Sequence, residues 1–269
     1  MKTPLEKIEI LSIYKLRGQR VFLPGRMAKC TPDTLAAVTA IAEDVREAGG
    51  NLYLSDLFRS YDMQFQAHLD YSTGKKNAFS PPPGGSLHEA GRAFDLSLGD
   101  LNMELADFWE IAIARGASPI IDVPDTRKSE AWHFDCRGSH SRVYEYYKAG
   151  KGANMSPYKA MAASCILAAG IDVDSFGPRC EAAYMQSCLV RLGYELGNID
   201  GYQGKMTNAA LQDAGLKDAD AKQALSLLEE RLQEQYPAEF RQETAGEGEL
   251  FDYVEPQHIV PDAIHLNGR

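Results

Sequence analysis

The sequence predicts an α+β fold, in which a small antiparallel sheet with flanking helices is followed by a small helical domain. The first half of the chain mixes helical and strand patterns without the regular alternation of a parallel sheet, and the second half is mostly helical. Between residues 149 and 157 the composition turns to Gly, Ala and Pro. We therefore expect one domain at 1–150, a small helical domain at 156–240 and a C-terminal extension at 241–269.

The first half begins with a clearly marked helix. Thr31 is expected to cap it, Pro32 suits the first helical position, and the pattern ends at Gly49-Gly50. Between these ends the apolar residues recur at helical spacing, and they are Leu35, Val38, Ile41 and Val45.

Short strands, one loop and further helices complete the first half. A strand is predicted at 52–54, and Ser60 can cap a second helix. The segment 74–85, GKKNAFSPPPGG, is predicted to be a loop because its three prolines remove backbone donors. The remaining elements are expected in this order: a strand with its lead-in at 87–98, an amphipathic helix at 100–116, and extended pieces at 120–121 and 132–134.

The second half is expected to hold helices joined by turns. One helical stripe, which ends at Gly193-Tyr194, consists of Ala182, Met185, Leu189 and Leu192. The loop at 197–204 contains Asp200-Gly201, a strong turn signal. Thr207 is expected to cap the next helix, which would begin at Asn208. The extension shows no clear period and is expected to be loosely attached.

The composition limits the partners of the protein. A formal net charge of −10 and a pI near 5.1 disfavour binding to nucleic acid or anionic lipid, because both are negatively charged. No run of about 18 apolar residues occurs, so membrane insertion is not expected. Residues 1–20 mix charges with apolar residues and do not resemble a signal peptide. Release by a non-standard route, or earlier trimming, is therefore expected.

Two short segments carry the residues of a metal site. The first is SLHEAGRAFD at 86–95, and the second is EAWHF at 130–134. Catalytic zinc sites use three protein ligands, such as two histidines and a carboxylate, and a nearby carboxylate takes the proton of the attacking water. In a regular strand Glu130 and His133 would point to opposite faces, so a bulge or a strand end is required between them.

These segments carry a family resemblance. Ser-x-His-x-x-Gly-x-Ala-x-Asp, followed about 35 residues later by Glu-x-Trp-His, resembles the signature of zinc D-alanyl-D-alanine carboxypeptidases and dipeptidases. That family includes the vancomycin-resistance D,D-peptidases and phage endolysin peptidases. The resemblance covers roughly residues 20–140, and the matching positions are Ser86, His88, Gly91, Ala93, Asp95, Glu130, Trp132 and His133.

The resemblance implies a role for each matching residue. It implies that His88, Asp95 and His133 bind one Zn²⁺ per chain. Glu130 would be the general base and then the acid, and Arg59 would bind the carbonyl oxygen that becomes negative in the transition state. Substrate contacts are expected from Ser86, Tyr61, Gln64 and Trp132, although Trp132 could equally serve only to support packing.

The second half is similar to the small three-helix peptidoglycan-binding domain. The matching pieces are Met185-Gln186, Leu189, Leu192-Gly193-Tyr194, Ile199-Asp200-Gly201, Gly204, Thr207 and Ala210-Leu211. That family continues with an aromatic residue and a glutamine, where this chain has Ala214-Gly215. Glycan is therefore one expected partner of this domain, and a purely structural helical domain is the alternative.

The leading hypothesis is a zinc metallopeptidase of D,D-carboxypeptidase type, which hydrolyses peptidoglycan stem peptides at the cell wall, in the periplasm or outside the cell. One alternative is a peptidoglycan endopeptidase, as in an endolysin or a delivered wall-degrading toxin. Another is a non-catalytic wall-binding protein. Non-haem iron also uses two histidines and one carboxylate, but a carboxylate three residues before the second histidine favours hydrolysis.

Overall fold

The computed structural model describes residues 2–240, so the expected extension at 241–269 lies outside the described residues. The sheet region comprises residues 2–136, and the helical region comprises residues 137–240. The α-helices of the described chain are α1 Pro32–Glu47, α2 Tyr61–Ser72, α3 Leu105–Ala114, α4 Ser141–Lys148, α5 Pro157–Ala168, α6 Cys180–Arg191, α7 Lys205–Asp213 and α8 Ala221–Gln235.

The strands form one six-stranded sheet and one short pair. They are β1 Glu6–Lys7, β2 Leu11–Leu16, β3 Gln19–Phe22, β4 Lys29–Cys30, β5 Leu54–Asp56, β6 Ala93–Leu96, β7 Ser118–Pro119 and β8 His133–Asp135. The large sheet has the order β3-β2-β5-β6-β8-β7, and β1 pairs with β4. All pairings are antiparallel except β2 with β5. The α+β prediction is confirmed.

The best-marked helices lie where the sequence predicts them. Helix α1 begins at Pro32, after an extended Thr31, although the Thr31 hydroxyl donates to Asp33 Oδ1 and does not cap the helix. Helix α2 follows Ser60, whose hydroxyl oxygen accepts a bond from the Met63 amide. Residues 74–85 contain no helix or strand, as predicted from their prolines.

Other elements differ from the prediction. The hairpin of β2 and β3 was not predicted, and it turns at Arg17-Gly18, where both residues have positive φ. Helix α3 begins at 105 rather than 100, and β7 lies at 118–119 rather than 120–121. The cap predicted at Thr207 is wrong, because α7 begins after Gly204 and the Thr207 hydroxyl instead accepts a bond from Gln186. Four α-helices lie within 156–240, where the resemblance implies three.

Two hydrophobic cores meet at the first motif. Phe94 and Leu96 on β6 belong to the core of the sheet region, under α1 and α3. Leu87, Ala90 and Ala93 belong instead to the core formed by the helices of the helical region. The predicted domain limits at 150 and 156 stay a prediction. Within residues 2–240, no helix is long and apolar enough to cross a membrane.

Candidate metal centre and active site

Three elements bring the predicted metal ligands together. His88 lies in a 3₁₀ turn, Leu87–Ala90, Asp95 lies on β6, and His133 is the first residue of β8. Asp95 and His133 are direct partners in the antiparallel β6–β8 ladder, so their side chains lie side by side on one face. The turn that carries His88 ends at Gly91, whose φ of 62° suits glycine and directs the chain into β6.

The donor atoms of these residues fit a zinc ion. His133 Nδ1 lies 2.9 Å from Asp95 Oδ1, and His88 Nε2 lies 3.3 Å from both of those atoms. Tetrahedral ligands at 2.0–2.2 Å from zinc are about 3.3–3.6 Å apart, so the two separations of 3.3 Å match this range and the one of 2.9 Å is shorter. All three side chains are buried. The cluster can therefore hold one metal ion.

The second nitrogen of each imidazole is already bonded to the protein. His88 Nδ1 lies 2.7 Å from the Leu57 carbonyl oxygen, and His133 Nε2 lies 2.9 Å from Asp135 Oδ1. Each of these nitrogens donates its proton, which leaves His88 Nε2 and His133 Nδ1 facing Asp95. Metal-binding histidines are commonly fixed in this way by a carbonyl or a carboxylate.

The charged groups of the cluster shift one another's pKa values. Burial lowers the pKa of His133, but bonds to Asp135 and Asp95 outweigh that effect and raise its pKa to about 10. Burial raises the pKa of Asp95, yet the neighbouring His88 and His133 hold it well below its ordinary value. Metal binding requires deprotonated ligand atoms, so an ion held by Asp95 and His133 Nδ1 would compete with a proton.

Glu130 reaches the same cavity from a turn. Strand β8 begins only at His133, whose amide donates to the Glu130 carbonyl, and Glu130 has a φ of 67°. This left-handed residue supplies the strand end that Glu130 and His133 need in order to share one site. Burial raises the pKa of the Glu130 carboxyl, and the effects of His133 and Asp95 oppose each other. A raised pKa suits a group that accepts and returns a proton.

Arg59 is buried beside a metal ligand. Its Nε donates to Asp56 Oδ2 at 2.5 Å, Nη1 donates to Gln64 Oε1 at 3.3 Å, and Nη2 donates to Asp95 Oδ2 at 3.1 Å. Burial lowers its pKa, but Asp56 and Asp95 raise it above the ordinary value, so the guanidinium stays charged. These bonds occupy three of its five N–H groups. Arg59 lines the cavity, where the other two N–H groups can donate to a substrate.

The four residues expected to contact substrate lie in different places. Trp132 lines the cavity. Ser86 is buried, and its hydroxyl oxygen accepts from the His88 amide at 3.4 Å. Gln64 is buried, and its amide group donates to Ser80 and to the Pro81 carbonyl. Tyr61 is exposed and donates to Asp174 at 2.8 Å. The substrate role of all four stays a prediction.

Several residues that support the site were not predicted from the sequence. Glu89 accepts from the Gly84 and Ser86 amides and completes a capping box around the His88 turn. The Ser-x-x-Glu spacing could have revealed it. Asp135 could have been found two residues after His133, since alternate strand residues share a face. Tyr158 donates to Asp135 at 3.1 Å, and no signal in the sequence predicts that contact.

The cluster opens into a cavity of about 580 Å³ between the two regions. The loop at 74–85 forms one side, and the start of α5 forms another. Lys159 lines this cavity, and within residues 2–240 no carboxylate forms an ion pair with its amine. The lining includes Arg59, Lys76, Phe79, Pro82, His88, Asp95, Ile120, Glu130, Trp132, His133, Tyr158, Lys159 and Val173.

Comparison with known proteins identifies no family for the chain. No protein-family model matches it, and no curated protein is similar to it. Solved structures show a low similarity. They are the L,D-carboxypeptidase DacB from Streptococcus pneumoniae (19% identity, TM-score 0.34, 55% of this chain and 93% of that one), the LdcB LD-carboxypeptidase (19%, 0.34, 57% and 93%) and DacB from Streptococcus pneumoniae D39 (21%, 0.34, 53% and 86%). TM-scores of this size carry no argument about fold or function.

Proposed function

We propose that the protein is a zinc-dependent peptidase that hydrolyses peptidoglycan stem peptides as a D,D-carboxypeptidase. One observation carries the proposal: the donor atoms of His88, Asp95 and His133 lie within 4.8 Å of one another, on a cavity that Glu130 also lines. A site that only bound the cell wall would have no need of a second carboxyl, with a raised pKa, beside a metal cluster.

The residues of the chain divide the chemistry among them. When bound, zinc would polarise the scissile carbonyl and lower the pKa of water at its open position to about 7. A Glu130 oxygen accepts the proton of the attacking water and then donates it to the nitrogen of the leaving amine. Asp135 keeps His133 in the tautomer that leaves Nδ1 free.

Arg59 stabilises the charge that develops on the substrate oxygen. Two of its N–H groups remain after the bonds to Asp56, Gln64 and Asp95. A donor held in place before the reaction lowers the transition state more than the bound substrate. The bond to Asp95 also fixes the guanidinium next to the metal cluster.

Two lysines favour a substrate with a free carboxylate. Lys76 comes from the loop at 74–85 and Lys159 from α5, and both line the cavity. A carboxypeptidase substrate ends in a carboxylate near the scissile bond, whereas an endopeptidase substrate does not. These cations therefore support the carboxypeptidase over the endopeptidase. The choice of peptidoglycan rests on the motif resemblance, and a glycan contact by the helical region rests on its own resemblance.

Digestion of defined muropeptides tests the proposal. The purified chain, loaded with zinc, is incubated with monomers that end in D-Ala-D-Ala, with monomers shortened by one D-Ala, and with cross-linked dimers. Mass spectrometry of the products identifies the bond that is cut. We expect loss of one D-Ala from the first substrate, no reaction after chelation, and a reaction slower by about 10²–10⁴ with Glu130→Gln.

Other products would change the assignment. Separation of the dimers into monomers would establish the endopeptidase alternative, and trimming of the shortened monomers alone would establish cleavage of an L,D bond. No product from any substrate, with zinc bound, would contradict a peptidoglycan peptidase.

A further inference from the structure

The helical region reaches the metal site through Tyr158. This residue lies in the first turn of α5, and its hydroxyl donates to Asp135 Oδ1 at 3.1 Å. The same oxygen accepts from His133 Nε2 at 2.9 Å. A continuous chain of hydrogen bonds therefore connects α5 with the imidazole whose other nitrogen faces Asp95.

Asp135 depends on these donors. Its side chain is fully buried, so water cannot replace a lost partner. Oδ2 accepts from Arg137 Nε at 3.3 Å and Nη2 at 3.2 Å, while Oδ1 accepts from His133 and Tyr158. Apart from His133, Tyr158 and Arg137 are therefore the side chains that hold Asp135, and Tyr158 bonds to the same oxygen as His133 does.

The position of α5 is itself fixed against the motif. Leu87 and Ala90, which flank His88 and Glu89 in the 3₁₀ turn, share a core with Met161 and Cys165 of α5. One helix thus packs behind the His88 turn and also donates to the carboxylate that orients His133. It contacts both histidine-bearing segments of the site.

We propose that Tyr158 is a positioning residue for the metal centre, so that the helical region completes this centre and is not a detachable wall-binding module. Tyr158 acts through Asp135: it keeps the carboxylate, and with it the His133 ring, in the orientation that presents Nδ1 beside Asp95. The inference concerns metal binding and deepens the proposed function.

Zinc affinity is the direct test. Tyr158→Phe removes only the hydroxyl and keeps the ring that lines the cavity. Loss of a direct outer partner of a metal-binding histidine weakens metal affinity by roughly 10–100-fold. Tyr158 acts one bond further out, through Asp135, so we expect a loss of about 10-fold, at the lower end of that range. The affinities of wild type and variant are measured by zinc titration against a competing chelator, and the melting temperature of each metal-free protein is recorded alongside.

Tyr147→Phe is the matched control. The Tyr147 hydroxyl also lies in the helical region, donating to Asn154 at 2.9 Å and accepting from the Ile199 amide at 2.8 Å. We expect this variant to lose thermal stability and to keep the wild-type zinc affinity. An unchanged affinity in Tyr158→Phe, or equal losses in both variants, would overturn the inference, as would a wild type that binds no zinc.

The readout is independent of hydrolysis. If Tyr158→Phe weakens zinc binding while the wild-type chain cuts no muropeptide, the positioning role stands and the proposed function fails. If the chain cuts muropeptides while Tyr158→Phe binds zinc normally, the function stands and the positioning role fails.

Discussion

The sheet region and the helical region contribute to the site in different ways. Every candidate ligand, together with Glu130 and Arg59, lies in the sheet region. The helical region supplies no ligand, yet it packs against the back of the His88 turn and donates to Asp135. The candidate ligands, Glu130 and Arg59 therefore come from the sheet region, and part of the packing and hydrogen bonding that supports them comes from the helical region. Substitutions in the two regions should therefore impair different properties of the protein.

A buried ion cluster joins the two regions. Arg92, within the first motif, contacts Asp33 at 2.7 Å in the sheet region and Glu239 at 3.3 Å near the end of the helical region. Glu239 also accepts from Arg191 at 2.7 Å and from the Ser139 amide at 2.6 Å. Because Arg92, Arg191 and Glu239 are buried, removing one of these charges leaves its partners without a full counter-charge.

The largest expected effect on catalysis lies in the sheet region. Glu130→Gln keeps the size of the side chain but cannot accept a proton, so we expect turnover to fall by about 10²–10⁴. Bound zinc and melting temperature should stay at wild-type values. Steady-state kinetics with metal analysis checks this, with Glu110→Gln on the exposed face of α3 as the control. Near-normal turnover would remove Glu130 from the role of base.

The largest expected effect on stability lies at the junction. Glu239→Gln leaves Arg92 and Arg191 buried without a full counter-charge, so the free energy of unfolding should fall by about 3–5 kcal/mol. Glu234→Gln, on the exposed side of α8, should leave it unchanged. Urea unfolding of both variants makes the comparison. Equal stability of the two would show that the ion cluster does not hold the regions together.

The same cluster predicts a pH dependence. Burial raises the pKa of Glu239, but Arg92 and Arg191 outweigh it and lower the pKa below its ordinary value. A lowered folded-state pKa gives stability that is present above the unfolded value, about 4.3, and is lost as the pH falls through the folded value. The stability difference between wild type and Glu239→Gln should therefore shrink below about pH 4. A difference that grows in acid would contradict this.

A smaller effect is expected at Arg59. Arg59→Lys retains a charge but cannot reproduce the fork of donors, so kcat should fall by roughly 10²–10³ at saturating zinc. A purely structural arginine would instead lower the melting temperature and leave kcat unchanged. Measuring both quantities on one preparation separates these roles. Arg115→Lys, at an exposed ion pair with Asp44, is the control.

The smallest effect is expected at the lysine that the helical region places on the cavity. Exposed ion pairs contribute about 0.2–1 kcal/mol, so Lys159→Met should raise KM by roughly 1.5–5-fold for a substrate with a free terminal carboxylate. kcat should change little, and added salt should reduce the difference. Lys222→Met, on the exposed face of α8, should leave KM unchanged. A similar increase of KM with an amidated substrate would exclude the proposed carboxylate contact.

Local signals explain which parts of the fold could be predicted. Pro32 and Ser60 mark helix starts because their chemistry acts on the adjacent turn, although Thr31 itself makes no capping bond. The β2–β3 hairpin was missed because its strands mix charged and apolar residues, and its turn depends on a non-glycine residue, Arg17, with positive φ. The Thr207 prediction failed for a tertiary reason, since the hydroxyl bonds to Gln186 on another helix.

The sequence by itself determined which residues make up the candidate site. The motif that holds His88 and Asp95, and the motif that holds Glu130 and His133, together resemble a zinc-peptidase signature, and that resemblance implies the candidate metal set. Local patterns in the sequence also indicate the capping role of Glu89 and the position of Asp135 on the same strand face as His133, although neither was predicted.

Only the tertiary structure decided which contacts and backbone conformations surround those residues. The left-handed φ of Glu130, the bond from Arg59 to Asp95 and the contact of Tyr158 with Asp135 join residues through backbone geometry or across long stretches of chain. Arg92 and Glu239 are likewise separated by most of the helical region. Such contacts leave no periodic trace in the sequence, because they depend on how two cores pack against each other rather than on the order of neighbouring residues.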